Sequence, residues 1–168
     1  TSAWTTQSAA AFSGKRVALI IGNSKYASAP LKNPVNDARA MARSLKELGF
    51  EVTLRENAGQ RDMAAAVRQF GAAISPGSAA VFYFAGHGLQ MNWRNYLVPV
   101  DAVLNRVEDV PQQAVDITRL LEGLTQRAAR KVWARMKTDA ENASLKSIPA
   151  LDNRPGGAWL FAELLKPL

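Results

Sequence analysis

Residues Val81 to Gly88 read VFYFAGHG, an apolar and aromatic run closed by Gly-His-Gly. The run is short, rich in β-formers and bounded by turn residues, which is the pattern of a buried strand. His87 is the only histidine in the chain. In an open α/β sheet the carboxyl ends of the strands face the crevice where ligands bind. A histidine just past such an end, with an unperturbed pKa close to neutrality, is placed for general-base work. This reading puts the sole imidazole at the carboxyl rim of a sheet, projecting into an open groove.

Upstream, Arg16 to Gly22 (RVALIIG) gives a second buried-strand run. Loop signals follow at Asn23, Ser24, Ser28 and Pro30, and Asn23 and Tyr26 are read as residues that order this loop. Asn33-Pro34 supplies an N-cap followed by proline at the first helical position. Val35, Ala38, Met41, Ala42, Leu45 and Leu48 then recur at helical spacing, and Gly49 closes the helix. Phe50 to Leu54 alternates as a strand. Gln60 to Ile74 predicts a second helix with Met63, Val67, Phe70 and Ile74 on its core face, broken by Pro76-Gly77. The order is β-α-β-α-β, which implies parallel pairing through right-handed crossovers. The fold class expected is α/β, a three-layer α/β/α sandwich around a mostly parallel sheet.

Downstream, Leu89 to Val100 predicts a short hairpin turning at Asn92 to Asn95. Trp93 and Tyr96 are read as packing within it. Val115 to Gln126 predicts a helix carrying Ile117, Leu120, Leu121 and Leu124. A further buried strand should follow. Lys131 to Lys137 (KVWARMK) has too many charges for a central parallel strand and reads as a basic amphipathic helix. Lys146 to Gly157 reads as loop and Ala158 to Leu165 as a terminal helix.

The chain has 168 residues, 48% hydrophobic and 21% charged, the composition of one soluble globular domain. Residues 1–14 are expected to be a tail or linker. Residues 15–168 are expected to form a single domain, its pattern clear to about residue 124 and divergent after about 130. No apolar run reaches the roughly 20 residues that span a bilayer. The N-terminal stretch shows no basic-then-apolar signal pattern, so cytoplasmic and exported locations both stay open. The net charge of +7 permits loose attraction to polyanions. Arg127, Arg130, Lys131, Arg135 and Lys137 read as a solvated helical face, so no specific nucleic-acid partner is expected. The chain contains no cysteine, which excludes disulfides, thiolate metal sites and thiol catalysis by its own residues. No His/Asp/Glu group has metal-ligand spacing, and neither a metal nor a cofactor is expected. Neither G-x-G-x-x-G nor a P-loop follows the first strand, which argues against a nucleotide-binding domain.

VALIIGNSKY on the first strand, NPVNDARAMARSL on the next helix and VFYFAGHG on the third strand together resemble the large-subunit region of caspase-like cysteine endopeptidases. Bacterial caspase-like and metacaspase groups are the nearest in pattern. The resemblance is clear from about Lys15 to Asp101 and fades toward Leu124. It implies peptide or protein substrates cut by a His-Cys dyad, in which a thiolate attacks the carbonyl and an imidazole moves protons. Carried over, His87 matches the catalytic histidine. Gly88 matches the residue whose N–H helps form the oxyanion hole. Asp37 matches an acidic position of the S1 pocket, where a carboxylate would favour Arg or Lys at P1. As an ordinary first-turn acid Asp37 would instead complement the helix dipole. The resemblance places the nucleophile in an Asp-x-Cys step after the next strand. Asp139-Ala140 echoes its start, and Glu141 would then fall where the cysteine belongs. The strand itself is expected to be absent or replaced after about Arg130. Two readings follow: an endopeptidase domain without its nucleophile, or a pseudo-peptidase that binds peptides or proteins.

Overall fold

The computed structural model describes residues 14–76, 78–118, 120 and 131–137. Three strands and two helices alternate first: β1 (Arg16–Gly22), α1 (Pro34–Glu47), β2 (Glu51–Glu56), α2 (Gln60–Ala73) and β3 (Ala79–Ala85). The hairpin strands β4 (Gly88–Met91) and β5 (Arg94–Leu97) follow. A 3₁₀ turn at Val107–Asp109 then leads into the short helix α3 (Val110–Gln113). The last strands are β6 (Val115–Asp116) and β7 (Lys131–Lys137).

The main sheet runs β2-β1-β3-β7 and every pairing in it is parallel. β1 is covered on both faces, which explains why it is an unbroken apolar run rather than an alternating one. Val17, Leu19 and Ile21 pack with Phe82, Phe84, Met63, Val67 and Phe70 beneath α2. Ala18 and Ile20 pack with Tyr83, Ala38, Ala42 and Leu45 beneath α1. The three layers are therefore α1, sheet and α2, as the alternating sequence pattern predicts. Full burial of each large apolar side chain here contributes roughly 1.5–3 kcal/mol.

The chain moves from β1 outward to β2 and then crosses to β3 on the other side of β1. That reversal opens a crevice between the carboxyl ends of β1 and β3. Gly22 and Ala85 end these strands level with each other. A side chain at Gly22 would put its Cβ 2.6 Å from Ala38 Cβ and 2.6 Å from the Pro34 carbonyl oxygen. The first turn of α1 thus seats directly on the end of β1.

A second, antiparallel sheet, β4-β5-β6, lies after the main rim. Its hairpin turns at Asn92-Trp93, with φ of 50° and 62°. The turn is tighter than expected, since Arg94 and Asn95 already belong to β5. Tyr96 is buried as expected, whereas Trp93 is 82% exposed and packs little.

Three expectations are corrected. Lys131–Lys137 is a strand and not a helix: β7 pairs in parallel with β3 from Ala79↔Lys131 to Ala85↔Lys137. Its charges argued against a strand flanked on both sides, but among the described residues β7 pairs only with β3. It follows that the strand position after Arg130 is filled, not vacant. Val115–Asp116, expected as a helix start, is instead a short strand on β5, and among the described residues that follow, Thr118 and Leu120 have helical backbone. The expected tail over residues 1–13, the remainder of the 115–126 helix, the 146–157 loop and the 158–165 helix lie outside the described residues.

Candidate active site

His87 stands two residues beyond β3, at the crevice between β1 and β3. Its ring is not in an open groove, as the sequence suggested, but is 4% exposed beneath the loop that leaves β1. Two residues of that loop hold it. Nε2 lies 2.7 Å from the Ala29 carbonyl oxygen. A carbonyl only accepts, so Nε2 carries a proton, and in the neutral form of such a ring the lone pair falls on Nδ1. The Tyr26 ring lies against the imidazole, with centroids 4.2 Å apart and planes 42° from each other. The Tyr26 hydroxyl accepts the His87 backbone N–H at 3.0 Å and donates to the Val98 carbonyl at 3.0 Å. The Val98 N–H in turn donates to the His87 carbonyl at 2.9 Å. Burial pushes the Tyr26 phenol far above its ordinary range, so it remains an O–H donor wherever a histidine titrates.

The loops around this point are tied by Asn23, which is fully buried. Its side-chain oxygen accepts the Ala58 N–H at 2.9 Å. Its amide nitrogen donates toward the Ala58 and Val98 carbonyls at 3.3 and 3.4 Å. Asn57, in the left-handed region at φ 48°, accepts the N–H groups of Ser24 and Lys25 on its side-chain oxygen. The exits of β1 and β2 and the segment after β5 are therefore joined by side-chain-to-backbone bonds. Every buried polar side-chain atom among the described residues has a partner.

Gly88 follows His87 directly, opens β4 and is half-buried opposite Leu97. Asp37 lies in the first turn of α1, half-buried, its N–H bonded to the Asn33 carbonyl at 2.9 Å. It shares the carboxyl rim with His87, since α1 begins over Gly22. Among the described residues no group of three or more His, Asp or Glu side chains could hold a metal ion. Nor is any of their helices long and apolar enough to cross a membrane. Sequence reading missed the Ala29 carbonyl and the part of Val98, and took Tyr26 only for a loop organiser. The lone aromatic residue in a loop of small and polar residues was the available signal for Tyr26.

Residues 15–140 match the family described as the caspase domain, Peptidase_C14. The chain belongs to the caspase family. The match runs through β7 and stops at Ala140, one residue before Glu141. An 88-residue stretch is 35% identical to the human mucosa-associated lymphoid tissue lymphoma translocation protein 1, covering 52% of this chain and 11% of that protein. The Mus musculus homolog matches equally well. The caspase domain described here thus spans about one-tenth of the length of the curated relatives it matches. Among solved structures, protein GSU0716 from Geobacter sulfurreducens superposes with a TM-score of 0.56 at 20% identity, covering 79% of this chain and 53% of that one. The Drosophila initiator caspase Dronc superposes at 0.50 with 11% identity, covering 77% and 50%. At such identities these structures speak for the fold alone, and they agree on a caspase-like α/β arrangement.

Proposed function

We propose that this chain is a caspase-like cysteine-endopeptidase domain, of the bacterial caspase-like and metacaspase type, that lacks its nucleophile. His87 is the family's base and Gly88 N–H an oxyanion donor. Asp37 is the acid that receives a basic P1 side chain. The observation that carries this reading is the oriented imidazole in a chain with no cysteine. A base whose ring is fixed by a third group is half of a nucleophile-base pair. Without a thiol no thioester acyl-enzyme forms on this chain, and a carboxylate such as that of Glu141, where the sequence echoes the Asp-x-Cys step, would not replace it, since a carboxylate is a poor nucleophile toward an amide.

The second reading, a pseudo-peptidase that binds peptides or proteins, is favoured by the intact bonding around His87. A fold that had lost all use for its rim would have no need to keep that arrangement. Residues 15–168 act as one domain in either case.

Fluorogenic peptides ending in Arg or Lys test both parts. No turnover that depends on His87 is expected. An Arg-terminated peptide should bind, and Asp37→Ala should weaken it about tenfold or more, the scale of one charge-assisted pair. Turnover abolished by His87→Ala would overturn the inactive assignment, and unchanged affinity in Asp37→Ala would remove the pocket.

A further inference from the structure

The Tyr26 hydroxyl meets His87 and Val98 at one point. With the Val98 N–H it brackets the His87 peptide, one bond to its N–H and one to its carbonyl. The Tyr26 ring braces one face of the imidazole. Ala29, three residues further along the same loop, takes the ring N–H. The approach is close enough to dictate the neighbouring residue: a Cβ on Gly86 would lie 2.6 Å from the Tyr26 oxygen and 2.7 Å from Phe84 Cζ. Phe84 is fully buried and cannot give way. The glycine before the histidine is therefore the space that the phenol needs.

We propose that Tyr26 is a positioning residue for His87. It holds the peptide and one face of the ring, so that the imidazole keeps its Nε2–H on Ala29 and its lone pair on Nδ1. The proposal rests on reading His87 as the family's base, but its test reads the ring directly and needs neither turnover nor bound peptide. The phenol acts through another side chain and touches no reacting atom. It must stay protonated to serve, because a phenolate could accept the His87 N–H but could not donate to Val98.

Because the chain has one histidine, imidazole-¹⁵N labelling gives one pair of ring signals. In the unaltered chain, at a pH where the ring is neutral, one nitrogen should be protonated and one not, with Nε2 carrying the proton. Tyr26→Phe keeps the ring and removes the hydroxyl. It should leave the tautomer in place and speed hydrogen exchange at the His87 amide about tenfold, the scale of one lost hydrogen bond. Tyr26→Leu removes the brace as well, and the two ring nitrogens should move toward a common averaged shift while amides remote from the rim stay unchanged. Tyr26→Leu that folds and retains the single tautomer would overturn the proposal, as would unchanged amide exchange in Tyr26→Phe. If Tyr26→Leu does not fold, the Tyr26→Phe exchange measurement decides alone. A peptide that fails to bind would sink the functional reading and leave these signals as they are.

Discussion

Asn23 sits one residue past β1 with its side chain fully buried, and its amide reaches backbone 35 and 75 residues away. Asn23→Ala would strand the Ala58 N–H without an acceptor inside the fold. The expected cost is about 2–3 kcal/mol, read as a lower urea midpoint with an unchanged slope. A loss below about 0.5 kcal/mol would mean that water replaces the amide. The same residue marks the limit of what single positions reveal in a sequence. Its polarity at a strand exit was legible and suggested loop ordering. Its partners were not, because they are backbone groups from distant segments. The Ala29 contact was less legible still, since a carbonyl belongs to every residue type. His87 could be singled out as the lone imidazole after a buried strand, but its roof depended on how a loop folds back.

Among the elements, those with strong periodicity were readable to within a residue or two. α1 and α2 follow their 3.6-residue apolar spacing, and β1 and β3 their unbroken apolar runs. β7 was not readable, because KVWARMK carries charge that suits a helix face as well as an outer strand. Position in the sheet decided it: the backbone of β3 offered a free ladder of N–H and C=O groups, and pairing in register satisfies them. β6 was missed for a related reason, since two residues carry no period at all. The β4-β5 hairpin shows an element under local strain. Its turn needs two left-handed residues, for which Asn-Gly is the favoured pair, yet Trp93 holds the second position at φ 62°. With most of its surface in water, the indole returns little packing energy. Trp93→Gly is therefore expected to raise stability by up to about 1 kcal/mol in urea unfolding. A fall in stability would show that the indole packs on the hairpin after all.

At the scale of the molecule, side-chain bonds tie the second sheet together and join the segment after β5 to α2. Asp101, on the segment after β5, accepts the Gln60 N–H at 2.9 Å and so caps α2, whose own N-cap residue is glycine. Arg94 on β5 donates to Asp116 on β6 at 2.7 Å. Burial alone would raise the Asp116 carboxyl, but the Thr118 N–H and hydroxyl and the Arg94 guanidinium outweigh it, and its pKa falls below the ordinary 3.8. Glu56 is held below its ordinary 4.5 by the two-pronged Arg39 bond, a solvent-exposed pair worth little in salt. Both carboxyls bind protons more readily unfolded than folded. Their contribution is present above these ordinary values and is lost as the pH falls through the lower, folded ones. Urea unfolding across an acid series should show stability dropping below about pH 4. Asp116→Asn should flatten that limb more than Glu56→Gln, and equal slopes for Asp116→Asn and the unaltered chain would refute the assignment. One consequence follows from the contact at Gly22, where α1 rests on the strand end with no space between them. A helix so tightly docked cannot slide to widen or narrow a recess beside it. If Asp37 sets which side chain is admitted, preference among related proteins has to change by swapping the residue at that position, letter for letter, rather than by shifting the scaffold that carries it.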